Sequence, residues 1–438
     1  MEHKQKKRAQ LGWIMYDWAN SAFVTTITAA VLPVYFSNVA AAHLPAHVRT
    51  AYWGYTTTIA LLIVALLGPI LGAMADFSGA KKRFLTIFAL IGSAGAALLF
   101  FVTEGDWLMA SIFYIIGNVG FASANVFYDS LLPHVAGEDE RDMVSSKGYA
   151  YGYLGGGLLL AINLAMIMLA PDGETTALMS RLSFLSVAVW WLIFTIPLWK
   201  YVQEPVRRIL KGEEHFNPVQ ASFSRLAHTF SEIRKFKELF KFIVAFWLYN
   251  NGIGTIIVMA TIYGTELQFS EITTIGTLLM VQFVGIPFSL LFGKLAEKLG
   301  TKRSIFVSLG IYTVIAIAGY FMYKEIHFWI LGFGVAIVQG GSQALSRSLF
   351  SRMLPPSKSA EFYSFFSVSE KVAGTMGPLL FGVVSSIMGG SRVSIVSLII
   401  FFILGGYLLT RVDENEGMRV AKEEEERFIQ ASAAEATS

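Results

Sequence analysis

The chain has 438 residues, of which 54% are hydrophobic and only 15% are charged, a composition far from that of soluble globular proteins. Its formal net charge of +3 is too small to indicate a nucleic-acid partner. Because the chain contains no cysteine, disulfides, thiol nucleophiles and thiolate metal sites are excluded.

The first apolar segment follows a basic N-terminus, Lys4 to Arg8, and could be mistaken for a signal peptide. It runs from Leu11 to Phe36, which is too long for the apolar region of a signal, and it carries Asp17 and Asn20. We interpret it as the first transmembrane helix.

Hydropathy predicts an all-α membrane protein with twelve transmembrane helices, each near the ~20 residues needed to cross a bilayer. We divide the chain into an N-terminal six-helix half (1–200), a cytoplasmic linker (201–238), a C-terminal six-helix half (239–411) and an acidic cytoplasmic tail (412–438). The predicted spans are 12–36, 52–74, 84–102, 107–131, 147–170, 182–200, 240–264, 271–293, 303–323, 327–350, 362–388 and 393–411.

The distribution of basic residues predicts the orientation. If both termini are cytoplasmic, most of the 34 lysines and arginines fall on the cytoplasmic side, and Lys371 lies within a span. The basic N-terminus and the short loops favour the inner membrane of a bacterium. The external loops then hold only Arg49, Arg181, Lys324 and Arg392.

A loop segment occurs twice, and the two copies are separated by about half the chain. The first is Gly72-Ala-Met-Ala-Asp76-Phe-Ser-Gly79-Ala-Lys81-Lys82-Arg83, and the second is Gly293-Lys-Leu-Ala-Glu297-Lys-Leu-Gly300-Thr-Lys302-Arg303. The two glycines, the acidic residue and the basic pair of the first copy are each separated from their counterparts in the second by the same number of residues, which indicates an internal duplication. Two similar membrane halves are typical of a transporter.

The residue types of this loop indicate a conformational latch. Its glycines permit sharp turns and close helix approach, and Asp76 and Glu297 can accept hydrogen bonds from the N-terminus of an adjacent helix. The spacing resembles the loop signature of the major facilitator superfamily, whose fold has two pseudo-symmetric six-helix halves. The predicted latch residues are Gly72, Asp76, Gly79, Lys82, Gly293, Glu297, Gly300 and Arg303.

Two charged segments lie outside the spans. The linker contains an amphipathic stretch from Phe223 to Phe240, which we interpret as a helix on the bilayer surface. The tail after Arg411 is acidic and alanine-rich, and we interpret it as solvated.

Polar stripes on spans one, four, seven and ten predict one aqueous cavity, because polar groups in lipid are costly. The alternative is hydrogen bonding between helices without transport. The candidate cavity residues are Asp17, Asn20, Asn118, Asn125, Asn250, Asn251, Gln339, Gln343 and Arg347.

Candidate coupling or gate residues are Asp129, Glu370 and Lys371. Glu370 and Lys371 are interpreted either as a proton-carrying carboxylate or a gate ion pair, or as residues in a structural pair with Arg347 or Asp129. Glycines of the fifth and eleventh spans are interpreted as close-packing faces along which the halves rock. They are Gly152, Gly155, Gly156, Gly157, Gly374 and Gly377.

The histidines lie in tails, loops or span ends, so no metal site is predicted. The sequence shows no nucleophile–base constellation and no nucleotide motif. We therefore predict no enzyme activity, no catalytic residue and no cofactor.

Three further motifs make the resemblance narrower. They are Tyr16-Asp17-Trp18-Ala19-Asn20-Ser21-Ala22-Phe23, Gln343-Ala-Leu-Ser-Arg347-Ser and Gly377-Pro378-Leu-Leu-Phe-Gly382. They resemble the vacuole-effluxer-like branch of the superfamily, whose eukaryotic members are autophagy-related vacuolar amino-acid effluxers. The fifth span lacks the Gly-Pro of the superfamily's antiporter signature, so the resemblance does not imply antiport.

The resemblance implies a monomeric secondary transporter that exports a small solute, an amino acid, by alternating access. Its partners would be the solute, the lipid bilayer and protons. One alternative is a proton-coupled drug or metabolite exporter. Another is a membrane receptor or scaffold that kept the fold without transporting.

Overall fold

The computed structural model describes residues 2–206, 235–373, 376–388 and 391–436, and these form helices joined by short turns. The prediction of an all-α protein is confirmed. The helices are α1 Glu2–Ala22 with its continuation Phe23–Val31, Leu32–Tyr35 and Phe36–Ala40; α2 Ala46–Ser78; α3 Lys81–Leu98; α4 Trp107–Ser130; α5 Arg141–Met168; α6 Gly173–Tyr201; α7 Lys237–Glu266; α8 Glu271–Leu299; α9 Thr301–Tyr320; α10 Glu325–Arg352; α11 Ser359–Ala373 and Met376–Met388; α12 Ser391–Ser397 and Ile399–Thr410; and α13 Glu414–Ala436.

Eleven helices in the described part of the chain are long and apolar enough to cross a membrane. They correspond to α1 through α10 and to α12. The remaining predicted span, 362–388, is described as the two helices of α11, on either side of residues 374–375. The second of these contains the shorter apolar stretch Met376–Ser385.

The first span departs from regular α-helix where it meets α5. Phe23–Val31 is π-helical, a form that is rare and concentrated at functional sites. The Thr25 hydroxyl shares its proton between two backbone carbonyls. One belongs to Ser21 of the same helix, at 3.2 Å, and the other to Gly156 of α5, at 3.1 Å. Such a side-chain bond to the helix backbone competes with the regular ladder and loosens it.

The buried side chains form two cores that follow the chain halves. One core runs from Trp13 to Val202 and includes Ala360. The other runs from Phe236 to Val412 and includes Val126. The halves meet mainly where α5 packs on α8 and α10, and where α11 packs on α2 and α4.

The glycine faces of α5 and α11 lie mostly inside the halves, so their interpretation as sliding faces between halves is wrong for the described glycines other than Gly157. A Cβ at Gly152 would lie 2.7 Å from Ser21 Oγ of α1, and Gly377 packs against the Asn251 carbonyl of α7. Gly157 instead faces Gln282 of α8, in the other half. The glycines therefore hold α1 to α5 and α7 to α11.

The linker's amphipathic stretch falls largely outside the described residues, since 207–234 are not among them. The tail is described, and the prediction of a solvated tail is wrong. It forms α13, whose Ala421 and Phe428 are buried, and Gly417 packs against Met353 at the end of α10. The Lys358 ammonium pairs with Glu424 at 3.0 Å, and Glu425 accepts from the Ser357 N–H at 2.8 Å. These contacts fix α13 against the α10–α11 turn.

We expect Glu424→Gln to destabilise the protein by about 1–2 kcal/mol, because a hydrogen bond to a charged group at a mostly buried site contributes on this scale. Both side chains of the pair are 10–13% exposed. Thermal unfolding followed by tryptophan fluorescence would show a lower Tm. Glu426→Gln is the matched control, since Glu426 is exposed on the same helix. Equal midpoints for the two variants would show that the docked tail contributes no stability through this pair.

Candidate functional site

A cavity of about 580 Å³ lies between the two halves. Its wall combines residues of α1, α4 and α5 from the first half with residues of α7, α8, α10 and α11 from the second. The predicted cavity residues that line it are Asp17, Asn20, Asn125, Asn250, Asn251, Gln339, Gln343 and Arg347, together with Asp129. Asn118 does not line it and instead donates to the Tyr114 hydroxyl at 3.1 Å.

A charged cluster from three helices forms part of the cavity wall. Arg347 of α10 approaches Asp129 of α4 at 3.1 Å and Asp17 of α1 at 3.4 Å. The Tyr128 hydroxyl donates at 2.9 Å to the same oxygen of Asp17, Oδ2, that Arg347 contacts. Arg347 thus joins the second half to two carboxylates of the first.

The guanidinium of Arg347 is buried and strongly held. Its Nε and Nη2 donate to the Ser145 hydroxyl and carbonyl of α5 at 2.9 and 3.0 Å. It also lies over the rings of Trp13, Tyr128 and Tyr149, at 4.8, 5.4 and 4.5 Å from their centroids. A desolvated cation gains energy both from charge-assisted hydrogen bonds and from aromatic faces.

Amide groups line the wall beside the charged cluster. Asn20 donates to the Asn125 side chain at 2.6 Å, and Asn251 donates to the Trp247 carbonyl at 2.6 Å. The Asn251 side-chain oxygen, Oδ1, accepts from the Gly377 N–H at 3.3 Å. Part of the predicted stripe therefore holds helices together, as the alternative interpretation has it, while the same residues also line the cavity.

Several wall residues were not predicted from the sequence. The predicted stripes consist of charged and amide residues on spans one, four, seven and ten, so tyrosines and residues of the other spans lay outside them. The position of Tyr128 next to Asp129 was the available signal, and Ser145 and Gly148 carried none. The added residues are Tyr128, Tyr149, Tyr153, Gln282 and Tyr363 in the wall and Ser145 and Gly148 behind it.

Glu370 and Lys371 belong to α11 between Ser359 and Ala373, but their side chains lie outside the described part of the structure. Their coupling role stays a prediction. Asp129, the third predicted coupling residue, is in the charged cluster.

One end of the bundle, formed by the α2–α3 and α8–α9 turns and here named the latch end, is closed by contacts between the halves. Arg141 of α5 donates to the Ser351 carbonyl of α10 at 2.8 Å, and Arg352 pairs with Asp142 at 2.7 Å. The Ser145 hydroxyl donates to the Ala344 carbonyl at 2.8 Å. These bonds lie between the cavity and the latch end, so they close the cavity on that side.

Asp76 provides a further contact at the latch end. It accepts hydrogen bonds from the Ala360 and Glu361 N–H groups at 3.2 and 2.8 Å, at the N-terminus of α11. It also pairs with Lys81 at 2.8 Å, and both side chains are nearly inaccessible, at 1–2% exposure. Gly72 permits this approach, since a Cβ there would lie 2.7 Å from Ser364 Oγ.

Lys81 extends the same contact to the α10–α11 turn. Its ammonium donates to the Pro356 carbonyl at 2.9 Å and lies 3.0 Å from His134 Nε2. An anion at a helix N-terminus is stabilising, and the buried Lys81 requires that anion, because an unpaired buried charge is strongly destabilising.

The second copy of the loop makes different contacts. Gly293 packs on Ser146 as Gly72 packs on Ser364, but Glu297 is exposed and has no hydrogen bond or ion pair with the described residues. The helix it would cap, α5, is preceded by the acidic turn Glu138–Glu140 and carries Asp142 in its first turn. These acids already complement the helix dipole and repel a further carboxylate.

The basic pair also differs between the copies. Lys82 donates to the Val202 carbonyl after α6 at 2.8 Å, and Lys302 donates to the Val412 carbonyl after α12 at 2.6 Å. Gly79 and Gly300 both have positive φ, at 62° and 88°, where glycine is favoured. Lys302 therefore takes the place of Lys82, while Arg303 is exposed.

Comparison with known proteins identifies the family. A family model described as "Vacuole effluxer Atg22 like" matches residues 45–422. The chain belongs to this family. It is 40% identical over 426 residues to the MFS-type transporter YxiO of Bacillus subtilis (strain 168), covering 96% of this chain and 98% of that protein. Autophagy-related protein 22 of Coccidioides immitis (strain RS) is 24% identical, over 84% of this chain and 73% of that protein.

The fold of this family member is also found in solved structures. The MFS proton:xylose symporter XylE superposes with a TM-score of 0.74 at 16% identity, covering 95% of this chain and 98% of that chain. At that identity the likeness shows the fold alone. Together with the family match, it confirms the major facilitator fold and a multi-pass membrane transporter. The chain is a transporter and not an enzyme.

Proposed function

We propose that this transporter exports a small solute, an amino acid, by alternating access coupled to protons. The observation that carries the proposal is the cavity of about 580 Å³ between the halves, with Asp17, Asp129 and Arg347 in its wall. Groups of both signs suit a zwitterion, and amides beside them can bind its polar ends. Membership of the vacuole-effluxer family supports export of a solute, and the choice of an amino acid follows the family resemblance stated in the sequence analysis.

The closed latch end supports alternating access. Cavity residues come from both halves, while Asp76, Arg141 and Arg352 close one end with cross-half contacts. Breaking these contacts and forming others at the opposite end would move the opening from one face of the membrane to the other. The two separate cores support division of the chain at residues 201–238, with each half moving as a unit.

The solute assignment is tested with purified protein in proteoliposomes. We expect a radiolabelled amino acid from a panel to exchange across the membrane, and an imposed pH gradient to drive its accumulation. Asp17→Asn should reduce the pH-driven uptake at least tenfold, since it removes a carboxylate of the cavity. Glu426→Gln, far from the cavity on the exposed face of α13, should leave it unchanged.

A hydrophobic organic cation belongs in the same panel. Phe121, Phe246 and Phe366 line the cavity, and aromatic walls favour such solutes. If tetraphenylphosphonium moves and every amino acid fails, the protein is a drug or metabolite exporter. If no solute moves while ligands bind, the receptor alternative takes precedence.

We further propose that the protein lies in a bacterial inner membrane with both termini and the latch end in the cytoplasm, as the basic residues predict. Cysteines introduced by Thr103→Cys and Gly173→Cys, at exposed positions, should react with an impermeant maleimide in intact cells. Ser78→Cys and Lys298→Cys should react only after permeabilisation. Thr301, the first residue of α9, is unsuitable for cysteine labelling at the latch end, because it is buried and donates to Asp142 at 2.8 Å. Reversed labelling would overturn the orientation.

A further inference from the structure

We infer that α13 is a clamp that keeps the latch end closed, because it holds the α10–α11 turn in the conformation that the first half binds. This turn comprises residues 353–358 and contains the short helix Pro356–Lys358. The inference rests on the proposed alternating access, and it adds a regulatory element to the two six-helix halves. Residues 423–436 of α13 lie beyond the segment 45–422 that the family model matches.

One side of the turn is bound by the first half. The Lys81 ammonium donates to the Pro356 carbonyl at 2.9 Å. Directly after the turn, the Ser359 hydroxyl donates to the Ser130 carbonyl of α4 at 2.9 Å, and the next two N–H groups of α11 donate to Asp76. All of these contacts cross between the halves, so opening of the latch end breaks them. The position of the turn therefore decides whether the latch contacts can form.

The other side of the turn is bound by α13. Lys358 pairs with Glu424 at 3.0 Å, and the Ser357 N–H donates to Glu425 at 2.8 Å. Consecutive residues of the turn thus contact consecutive acids of the helix. The side chains of Lys358 and Glu424 are only 10% and 13% exposed, so salt and water screen their attraction little.

The clamp acts on the latch through the turn. α13 packs on α7, on α10 and on the short helix Pro356–Lys358, all of which belong to the second half. A turn that is ordered before the halves meet has little backbone freedom left to lose on closure. If α13 detached, closure would have to order the turn as well, and the closed state would be less populated. Glu424 and Glu425 are thus positioning residues for the latch contacts.

Docking of α13 and closure of the latch end should each favour the other. Both act on the same turn from opposite sides, and coupling between two equilibria is equal in the two directions. Docking therefore raises the closed population, and closure in turn raises the docked population. A helix that only stabilised the second half would raise neither, because it would contribute equally to the open and closed states.

The first direction is tested with spin labels introduced by Arg83→Cys and Lys298→Cys, at exposed positions near the latch end in opposite halves. Glu424→Ala/Glu425→Ala removes both acids that hold the turn, while alanine preserves the helix. We expect the ratio of open to closed molecules to rise about tenfold, within the usual range of allosteric coupling.

Glu423→Ala/Glu426→Ala is the matched control, because it removes the same charge from the same helix. Glu423 pairs with Arg419 of α13 itself, and Glu426 is exposed. The distance distribution of this control should equal that of the labelled parent protein. No shift in Glu424→Ala/Glu425→Ala, or equal shifts in both variants, would overturn the clamp.

Gly417→Leu detaches α13 without removing a charge, and it decides the question if the glutamate variant does not fold. A Cβ at Gly417 would lie 2.8 Å from Met353 Sδ and 2.9 Å from its Cγ, so a leucine side chain must push the helix off the turn. Hydrogen exchange of residues 414–436 should become about tenfold faster, and the ratio of open to closed molecules should rise with it. Lys422→Leu, at an exposed position of α13, should change neither.

Two results with Gly417→Leu would contradict the inference. Faster exchange with an unchanged distance distribution would show that α13 does not act on the latch end. Unchanged exchange would show that the contact between Gly417 and Met353 does not hold α13 on the turn.

The second direction is tested by Asp76→Asn, which removes the anion at the N-terminus of α11. Hydrogen exchange of residues 414–436 should be about tenfold faster in this variant. It should be unchanged in Glu297→Gln, at the corresponding position of the second loop. Unchanged exchange in Asp76→Asn would overturn the coupling.

None of these readouts needs a solute. Failure of every amino acid to move in proteoliposomes would refute the proposed function and leave the clamp standing. Absence of both the distance shift and the exchange response in a protein that transports amino acids would refute the clamp alone.

Discussion

Asp76→Asn should move the protein out of the conformation closed at the latch end. The substitution leaves the buried Lys81 without its anion and places an amide NH₂ among N–H donors of α11. Removing one partner of a buried ion pair costs about 3–5 kcal/mol. Because the penalty acts on the closed state, the ratio of closed to open molecules should fall by about a hundredfold or more.

The shift is measured as the distance between spin labels introduced by Arg83→Cys and Lys298→Cys, at exposed positions near the latch end in opposite halves. Glu297→Gln is the matched control for Asp76→Asn. Glu297 occupies the corresponding position of the second loop but makes no contact with the described residues, so its removal should leave the distribution unchanged. An unchanged distribution in Asp76→Asn would show that the first loop acts as a topology signal and not as a latch. Equal shifts in both variants would contradict the asymmetry.

The spans and most of the cavity could be predicted because lipid imposes simple requirements. A crossing helix needs about 20 apolar residues, and a polar group within it must face protein or water. Stripes such as Asp17 with Asn20, or Gln343 with Arg347, therefore had to face inward. Asn118 shares the stripe of Asn125 but lies two turns away, and the cavity is shorter than the helix.

The pairing within the cavity could not be predicted, since it depends on the packing of three helices. Asp17, Asp129 and Arg347 are widely separated in the sequence, and nothing local indicates that one guanidinium lies between two carboxylates. Ser145, which holds Arg347 most closely, has an ordinary residue type and position. Its role follows only from the approach of α5 to α10.

The contacts of the two repeated loops could not be predicted from their shared motif. Their motif is repeated, but Asp76 faces a helix that needs an anion at its N-terminus, whereas Glu297 would face one preceded by acids. Whether a loop acid makes a contact depends on the neighbouring helix and on which end of the cavity is closed.

The sequence of the tail did contain a signal for a packed helix, because Gly417, Ala421 and Phe428 recur on one helical face. Its acidic composition concealed that face.

Gly148→Ala should reduce transport about tenfold or more while leaving the protein folded. A Cβ at Gly148 would lie 2.8 Å from Asp17 Oδ2 and 2.9 Å from Arg347 Nη2. These two atoms are the ends of side chains, which can move, while the Trp13 ring, at 3.0 Å, must yield by a few tenths of an ångström. Alanine is a better helix former than glycine, so the fold should tolerate the methyl group. The movement, however, displaces Asp17 from the Tyr128 hydroxyl and Arg347 from the Ser145 carbonyl.

Each charge-assisted hydrogen bond weakened in this way is worth about 1.5–3 kcal/mol, and 1.4 kcal/mol corresponds to a factor of ten. Solute exchange in proteoliposomes measures the loss, and thermal unfolding shows whether the protein stays folded. Gly310→Ala is the control, since a Cβ there meets no atom within 4 Å. Wild-type exchange by Gly148→Ala would mean that transport does not require the observed geometry of the cluster. A loss of exchange with an unchanged Tm would instead assign the effect to the charged cluster, because the substitution adds one methyl group and removes no polar atom.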